Sequence, residues 1–406
     1  VDSGVGSFLV QGLWGASKAF LAASLHKERR KPLLILCPGV EEAEAFWRAL
    51  KAFVGKDSVL YLPSIPKGEK APLQTRVERV LSLSDLLHGR CEVLVAPLQS
   101  LSAPLPSPEY LRFSFISLYP QRIISPTKLI ESLLAMGYQE TPQVTEWGEF
   151  SRRGGVLDLF SPAAENPVRV EFFGDEIVSL RLFDPDTQRS VASLSQVTVP
   201  PLYERMGTEE SDPRVNLLDF FPHSPLLLLD EPDSLKRTWA ELEEREEESV
   251  LPSWEDLLQG SPSLSLTSFR SPSLPEGVDQ TAEWEIRGIP SFRGKISSFV
   301  EALGGWHKEG YRLRLYCKSP NQARRLQEAL KEHELYLPLG EDFFSAPPLS
   351  ILVGDLSSGF CLPELGLVVV SEEEVFGGRP HEAPQPHLTP RKSVLPLEGL
   401  KYGDFL

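Results

Sequence analysis

Residues 149–184 read EFSRRGGVLDLFSPAAENPVRVEFFGDEIVSLRLFD. Alternation puts Val168, Val170 and Phe172 on one face of a strand and Arg169, Glu171 and Phe173 on the other. Gly174 and Asp175 separate that run from the next, Ile177–Phe183, which is a hairpin signal. Further runs at Gly155–Phe160 and Val191–Val199 are set off by the turn-rich segments Pro162–Pro167 and Asp184–Thr187. Upstream, Ser125 and Pro126 predict an N-cap and a first helical residue for a helix through Ala135, stopped at Gly137. This spacing predicts a small antiparallel α+β module with one face in a core. Its other face carries positive charge and an aromatic, residue types enriched at protein–protein hot spots. A solvated sheet face with a stray Phe fits the same composition.

Outward from this module the period changes. Strands at Ser7–Gln11, Leu33–Cys37, Val59–Leu62 and Glu92–Ala96 alternate with helices over Ser17–Arg30, Glu41–Val54 and Arg76–Leu87. Strands that are apolar throughout and alternate with amphipathic helices call for a parallel sheet covered on both faces. The same texture resumes at Leu217–Leu229 and runs into a charged helix ending near Glu247; residues 253–290, rich in Ser and Pro, read as loops and strand pieces. A smaller α/β block follows: helix Lys295–Trp306, strand Arg312–Cys317, helix Gln322–Glu332, strands Leu349–Val353 and Leu365–Val370.

Composition narrows the function classes. The 406 residues include 41% hydrophobic and 24% charged side chains, ordinary globular values, with enough length for about three domains. The formal charge of −16 excludes a general polyanion binder, so weak or no direct DNA binding is expected. No apolar run approaches the ~18 residues of a membrane span, and the opening VDSGVGSFLVQG lacks the regions of a signal peptide. Cys37, Cys91, Cys317 and Cys361 lie far apart and read as buried small hydrophobes of a reducing cytoplasm, not as disulfides or a metal set. His381 and His387 flank a Pro-broken segment without ligand spacing, and Glu241–Glu248 reads as a solvated helix face.

Gly12, Gly15, Ser17, Lys18 and Ala19 sit between a predicted strand and a predicted helix, where a phosphate-binding loop would lie. That loop needs glycine before its lysine, so that backbone N–H groups can wrap phosphate, and Ser or Thr after it to hold Mg²⁺. Here those places hold Ser17 and Ala19. The counterpart is the apolar run Leu226–Leu229 ending in Asp230 and Glu231, types that elsewhere hold a metal and orient water. The pair reads as a degenerate nucleotide site without catalysis, and no other catalytic constellation or metal site is evident. The predicted organisation is a degenerate P-loop (RecA-like) parallel-sheet domain over 1–119 and 201–288, with a β-rich insertion over 120–200. A small α/β domain over 289–378 and a linker over 379–406 complete it, and the end falls mid-pattern, as expected of part of a longer chain.

The segment Arg153–Asp184 resembles the RGGxxDxF…RxEFFxDExxSxRxFD signature shared by the excinuclease component UvrB and the bacterial transcription-repair coupling factors (Mfd). Asn216–Pro222 and the leucines before Asp230-Glu231 resemble the same families. UvrB carries an intact phosphate loop and a DESH box; this chain has Gly-Ala-Ser-Lys-Ala and Asp-Glu-Pro-Asp, which favours the coupling factors. That resemblance implies recruitment of the excinuclease component UvrA to RNA polymerase stalled at damage, with Arg153, Arg169 and Phe173 in the UvrA-contacting positions. It also implies a downstream polymerase-binding domain, motor domains that carry ATP and Mg²⁺, a C-terminal region that masks the insertion, and no cofactor in this region. A UvrB-type ATPase or helicase and a direct damaged-DNA binder are the alternatives, opposed by Ala19 and by the net charge.

Overall fold

The computed structural model describes residues 7–55, 57–65, 71–103, 105–203, 215–245, 253–258, 261–270 and 278–377. The predicted linker 379–406, with His381 and His387, lies outside them. The described residues form two units, one drawn from 1–69, 82–105 and 212–385, the other from 70–81 and 106–211.

The first unit is built on a seven-stranded sheet. Its order is Gln280–Glu283, Ser7–Gln11, Ser263–Leu266, Leu226–Asp230, Leu33–Cys37, Val93–Pro97 and Leu60–Tyr61. Every neighbouring pair is parallel. Three adjacent strands, Leu226–Asp230, Leu33–Cys37 and Val93–Pro97, are buried at every residue, which is why they read as continuous apolar runs. Helices Ser17–Arg29 and Val40–Val54 meet through Phe20 and Phe53, whose rings lie 5.9 Å apart.

The same unit contains a four-stranded sheet in the order Leu349–Val353, Arg312–Cys317, Leu367–Ser371, Phe360–Leu362. The first three strands are parallel and the last, which the sequence pattern does not reveal, is an antiparallel edge. Its face shares a core with the two helices. The Phe343 ring stands 5.5 Å from Phe20 and 5.0 Å from Phe53, and Phe360 lies 5.5 Å from Phe20. The Tyr316 hydroxyl donates to the Ala52 carbonyl at 2.9 Å. A Cβ on Gly354 would come within 2.5 Å of the Ala52 methyl, so glycine permits this approach.

The second unit carries a six-stranded sheet: Ser190–Ser193, Glu176–Phe183, Val168–Phe173, Val156–Leu159, Glu149–Arg153, Gln139–Glu140. It is antiparallel except for the last pair. Helix Pro126–Ala135 puts Leu129 and Leu133 into a core with Phe150, Leu157, Val170, Ile177 and Leu180. Two expectations are corrected here. Gly155 does not open an isolated run: with Gly154 it turns a hairpin whose first strand is Glu149–Arg153. The predicted run Val191–Val199 divides, since Val197–Val199 pairs with Ile116–Leu118 in a separate two-stranded sheet.

Cys37, Cys91, Cys317 and Cys361 are all buried, and none forms a disulfide. Among the described residues no helix is long and apolar enough to cross a membrane, and no group of three metal-ligating side chains converges.

Candidate functional site

Parallel strands deliver their C-terminal ends to one edge of the seven-stranded sheet, and there the sequence-predicted residues converge. The strand Ser7–Gln11 passes through Gly12–Ala16 into the helix that begins at Ser17. Gly15 has φ +57°, and a Cβ there would lie 2.7 Å from the Gly359 carbonyl oxygen. The Ala16 N–H, one of the donors a phosphate loop would offer, donates to the Ser358 carbonyl at 3.3 Å. Ser17 is fully buried with no hydrogen-bond partner for its hydroxyl, and Ala19 presents only a methyl group.

Lys18 Nζ donates to Asp230 Oδ1 and to Glu231 Oε1, both at 2.6 Å. Glu231 holds φ +52°, a conformation non-glycine residues rarely adopt. Its carboxylate also accepts from the Ser268 N–H at 2.8 Å and the Thr267 hydroxyl at 2.9 Å. Burial works against the Lys18 ammonium, but the two carboxylates outweigh it and hold its pKa above the ordinary value. Burial raises Asp230 despite its lysine partner, whereas Glu231 is held low by Lys18 and Ser268 against the effect of burial. Both carboxylates proposed for a metal or a water are therefore engaged by the chain's own lysine. The sequence reading missed Thr267, Ser268, Ser358 and Gly359, small residues without a motif.

In the second unit, Arg153, Arg169 and Phe173 lie on the sheet face turned away from the main core. Pairing sets Arg153 against Val156 and Val156 against Glu171, so the three share a side with Arg181 and Ser179. Their circumstances differ. Phe173 is 80% exposed at the strand end. Arg153 is exposed and donates to the Pro142 carbonyl at 2.6 Å. Arg169 makes a bidentate pair with Asp158, at 2.7 and 2.8 Å, and its guanidinium lies 4.7 Å from the centre of the buried Phe183 ring. The bonds to Asp158 raise its pKa. All three lie on the outer face, and of them Arg169 is the one whose guanidinium is committed to the nearly buried Asp158 carboxylate.

Residues 116–204 match the UvrB interaction domain family, a span that includes the whole six-stranded sheet. The chain thus joins a region similar to the UvrB interaction domain to a parallel α/β unit. Over nearly all of its length the chain is similar to transcription-repair-coupling factors. That of Myxococcus xanthus is 27% identical, over 97% of this chain and 40% of the relative. That of Bacillus subtilis (strain 168) is 23% identical over the full chain and 41% of the relative, and that of Staphylococcus aureus (strain bovine RF122 / ET3-1) 22% over 92% and 38%. The chain spans about two fifths of the length of these relatives.

Two outcomes follow from the geometry. Removing Arg169 strands the nearly buried Asp158, so Arg169→Ala should lower stability by about 1–3 kcal/mol in urea unfolding, while Arg153→Ala should change it by less than about 0.5 kcal/mol. Equal effects would contradict the assigned pairing. Lys18→Met, which unpairs two carboxylates, should cost about 3–5 kcal/mol at pH 7. The Lys18 pKa is raised on folding, so its contribution is complete below its unfolded value of about 10.4 and is lost as pH rises through the folded one. The gap between wild type and Lys18→Met should then narrow only in strong alkali; a gap already closing near pH 8 would refute the sign.

Proposed function

We propose that this chain is the non-catalytic, UvrB-like module of a transcription-repair coupling factor and recruits UvrA to RNA polymerase stalled at DNA damage. The observation that carries this reading is Phe173, held 80% exposed on a paired strand within the matched interaction domain. A rigid aromatic side chain loses little conformational freedom on docking and buries a large area, the property of a hot spot. Arg153 supplies a charge beside it, and Arg169 acts mainly by fixing Asp158 and the strand pairing behind the surface.

In this proposal the seven-stranded sheet is a P-loop-derived frame that no longer uses nucleotide. Lys18 is engaged by Asp230 and Glu231, Ala19 offers no hydroxyl to Mg²⁺, and the Ser358 carbonyl takes a backbone donor. Polymerase binding, DNA translocation with ATP and Mg²⁺, and masking of the interaction domain are assigned to other regions of the full-length protein.

Calorimetry with purified UvrA tests the partner. Phe173→Ala should weaken binding by about 1–3 kcal/mol with the circular dichroism spectrum unchanged. Undiminished binding would sink the assignment. In a steady-state assay with DNA present, ATP turnover should be absent; turnover abolished by Lys18→Ala would restore the ATPase reading.

A further inference from the structure

We propose that Ile123 is a second apolar anchor of the Phe173 surface, so that the partner is gripped by two prongs rather than by one phenylalanine. This rests on the UvrA-binding reading and deepens it. Residues 121–124 lie outside the six named strands, yet the backbone pins them to the sheet. Gln121 N–H donates to Ile177 O at 2.7 Å, Ile177 N–H to Arg122 O at 3.0 Å, and Ile124 N–H to Asp175 O at 2.8 Å. The Arg122 guanidinium donates back to the Ser117 carbonyl. Gln121 takes φ +72° at the entrance to this segment, a strained value for a non-glycine residue.

This fixing has a directional consequence. Ile123 forms an antiparallel bridge with Glu176, and Glu176 is paired with Phe173. Directly opposed residues project to the same side, so Ile123, Glu176 and Phe173 form one row on the outer face. Two strand spacings separate the two apolar side chains, roughly 10 Å. Ile124 turns the other way and packs on the core, so the fold gets its apolar contact from the neighbour and leaves Ile123 71% exposed. Val178, left over at the bulge between Ile177 and Ser179, adds apolar surface at 49% exposure. A lone exposed isoleucine needs no explanation, but one pinned in register with an exposed phenylalanine makes a preorganised patch.

The occupant is the same partner as in the proposed function, because the row lies wholly inside the matched interaction domain and is continuous with Phe173. Its complementary surface is an apolar socket wide enough for both side chains. Carboxylates on the Arg153 side would complete the charge pairing.

The test measures UvrA affinity for the whole chain as wild type, Phe173→Ala, Ile123→Ala, Ile123→Asp and Val191→Asp. Val191 is the control, 63% exposed on the edge strand Ser190–Ser193, which pairs with the opposite end of Glu176–Phe183 from Ile123. Ile123→Ala should weaken binding about 3- to 10-fold and Ile123→Asp more, with Val191→Asp within about 2-fold of wild type. If Phe173→Ala weakens binding and neither Ile123 variant does, the second anchor falls while the first stands. If wild type fails to bind, or Phe173→Ala changes nothing, the parent reading falls instead. Loss by Val191→Asp equal to that of Ile123→Asp would also overturn the proposal. So would wild-type self-association that Ile123→Asp abolishes, since the row would then serve a second copy. Thermal melts accompany each variant, and Ile123→Ala decides the matter if the aspartate variant unfolds.

Discussion

Lys18 donates 2.6 Å hydrogen bonds to two carboxylates at once, and the first unit is arranged around keeping that charge paired. A nearly buried ammonium would be costly alone, and so would the nearly buried carboxylate of Asp230. Together they satisfy each other at the point where three strands end. Glu231 extends the network to Thr267 and Ser268, so the helix after the first strand, the leucine-rich strand and its neighbour are tied at one edge. The strained φ of Glu231 is what such a tie requires: the carboxylate must fold back toward Lys18 while its N–H still reaches Leu266. In a phosphate-binding loop the lysine instead faces a ligand.

The tie fixes the start of helix Ser17–Arg29, and through Phe20 it fixes what packs on that helix. Phe20, Phe53, Phe343 and Phe360 meet in mostly tilted or edge-on pairs, geometries favoured by ring quadrupoles. The four-stranded sheet is therefore seated on the helices by aromatic packing and joined to the loop after Gly12 by the Ser358 carbonyl. Glu374 supports that contact from behind. It accepts from the Gly359 N–H while completing its own helix's capping box with Ser371. Charge pairing, aromatic packing and loop contact are three faces of one joint.

What the sequence made legible was whatever burial imposes uniformly. Leu33–Cys37 and Leu226–Asp230 were readable because a parallel strand buried on both faces must be apolar throughout. Glu149–Arg153 escaped because it buries only Phe150 and Ser151 and ends in two exposed arginines. Gln280–Glu283 is exposed along its length and carries no strand pattern, so only its pairing with Ser7–Gln11 defines it. The site followed the same rule. Lys18, Asp230 and Glu231 stood in recognisable places, but that they would bind one another depends on strand order across more than two hundred residues. The pairing of Arg169 with Asp158 was hidden for a similar reason, since register and not spacing sets the two opposite.

The outer face of the six-stranded sheet shows how one surface can be both stable and available. Toward one end, Phe183 is buried with Phe160 and Val144, and Arg169 covers it while holding Asp158. In the middle, Glu171 accepts from Ser179 at 2.6 Å and lies 3.5 Å from Arg181. These groups are committed to each other, and exchanging such internal bonds for bonds to a partner gains little. At the hairpin end the pattern reverses. Strand pairing fixes Phe173, and the backbone bonds of Arg122 and Ile124 fix Ile123 between them, while both side chains are exposed, so a partner docking there would bury apolar area without first breaking a bond. The gradient along the strands runs from satisfied charge to exposed apolar surface; in the proposed reading the paired end would supply rigidity and the hairpin end the binding energy.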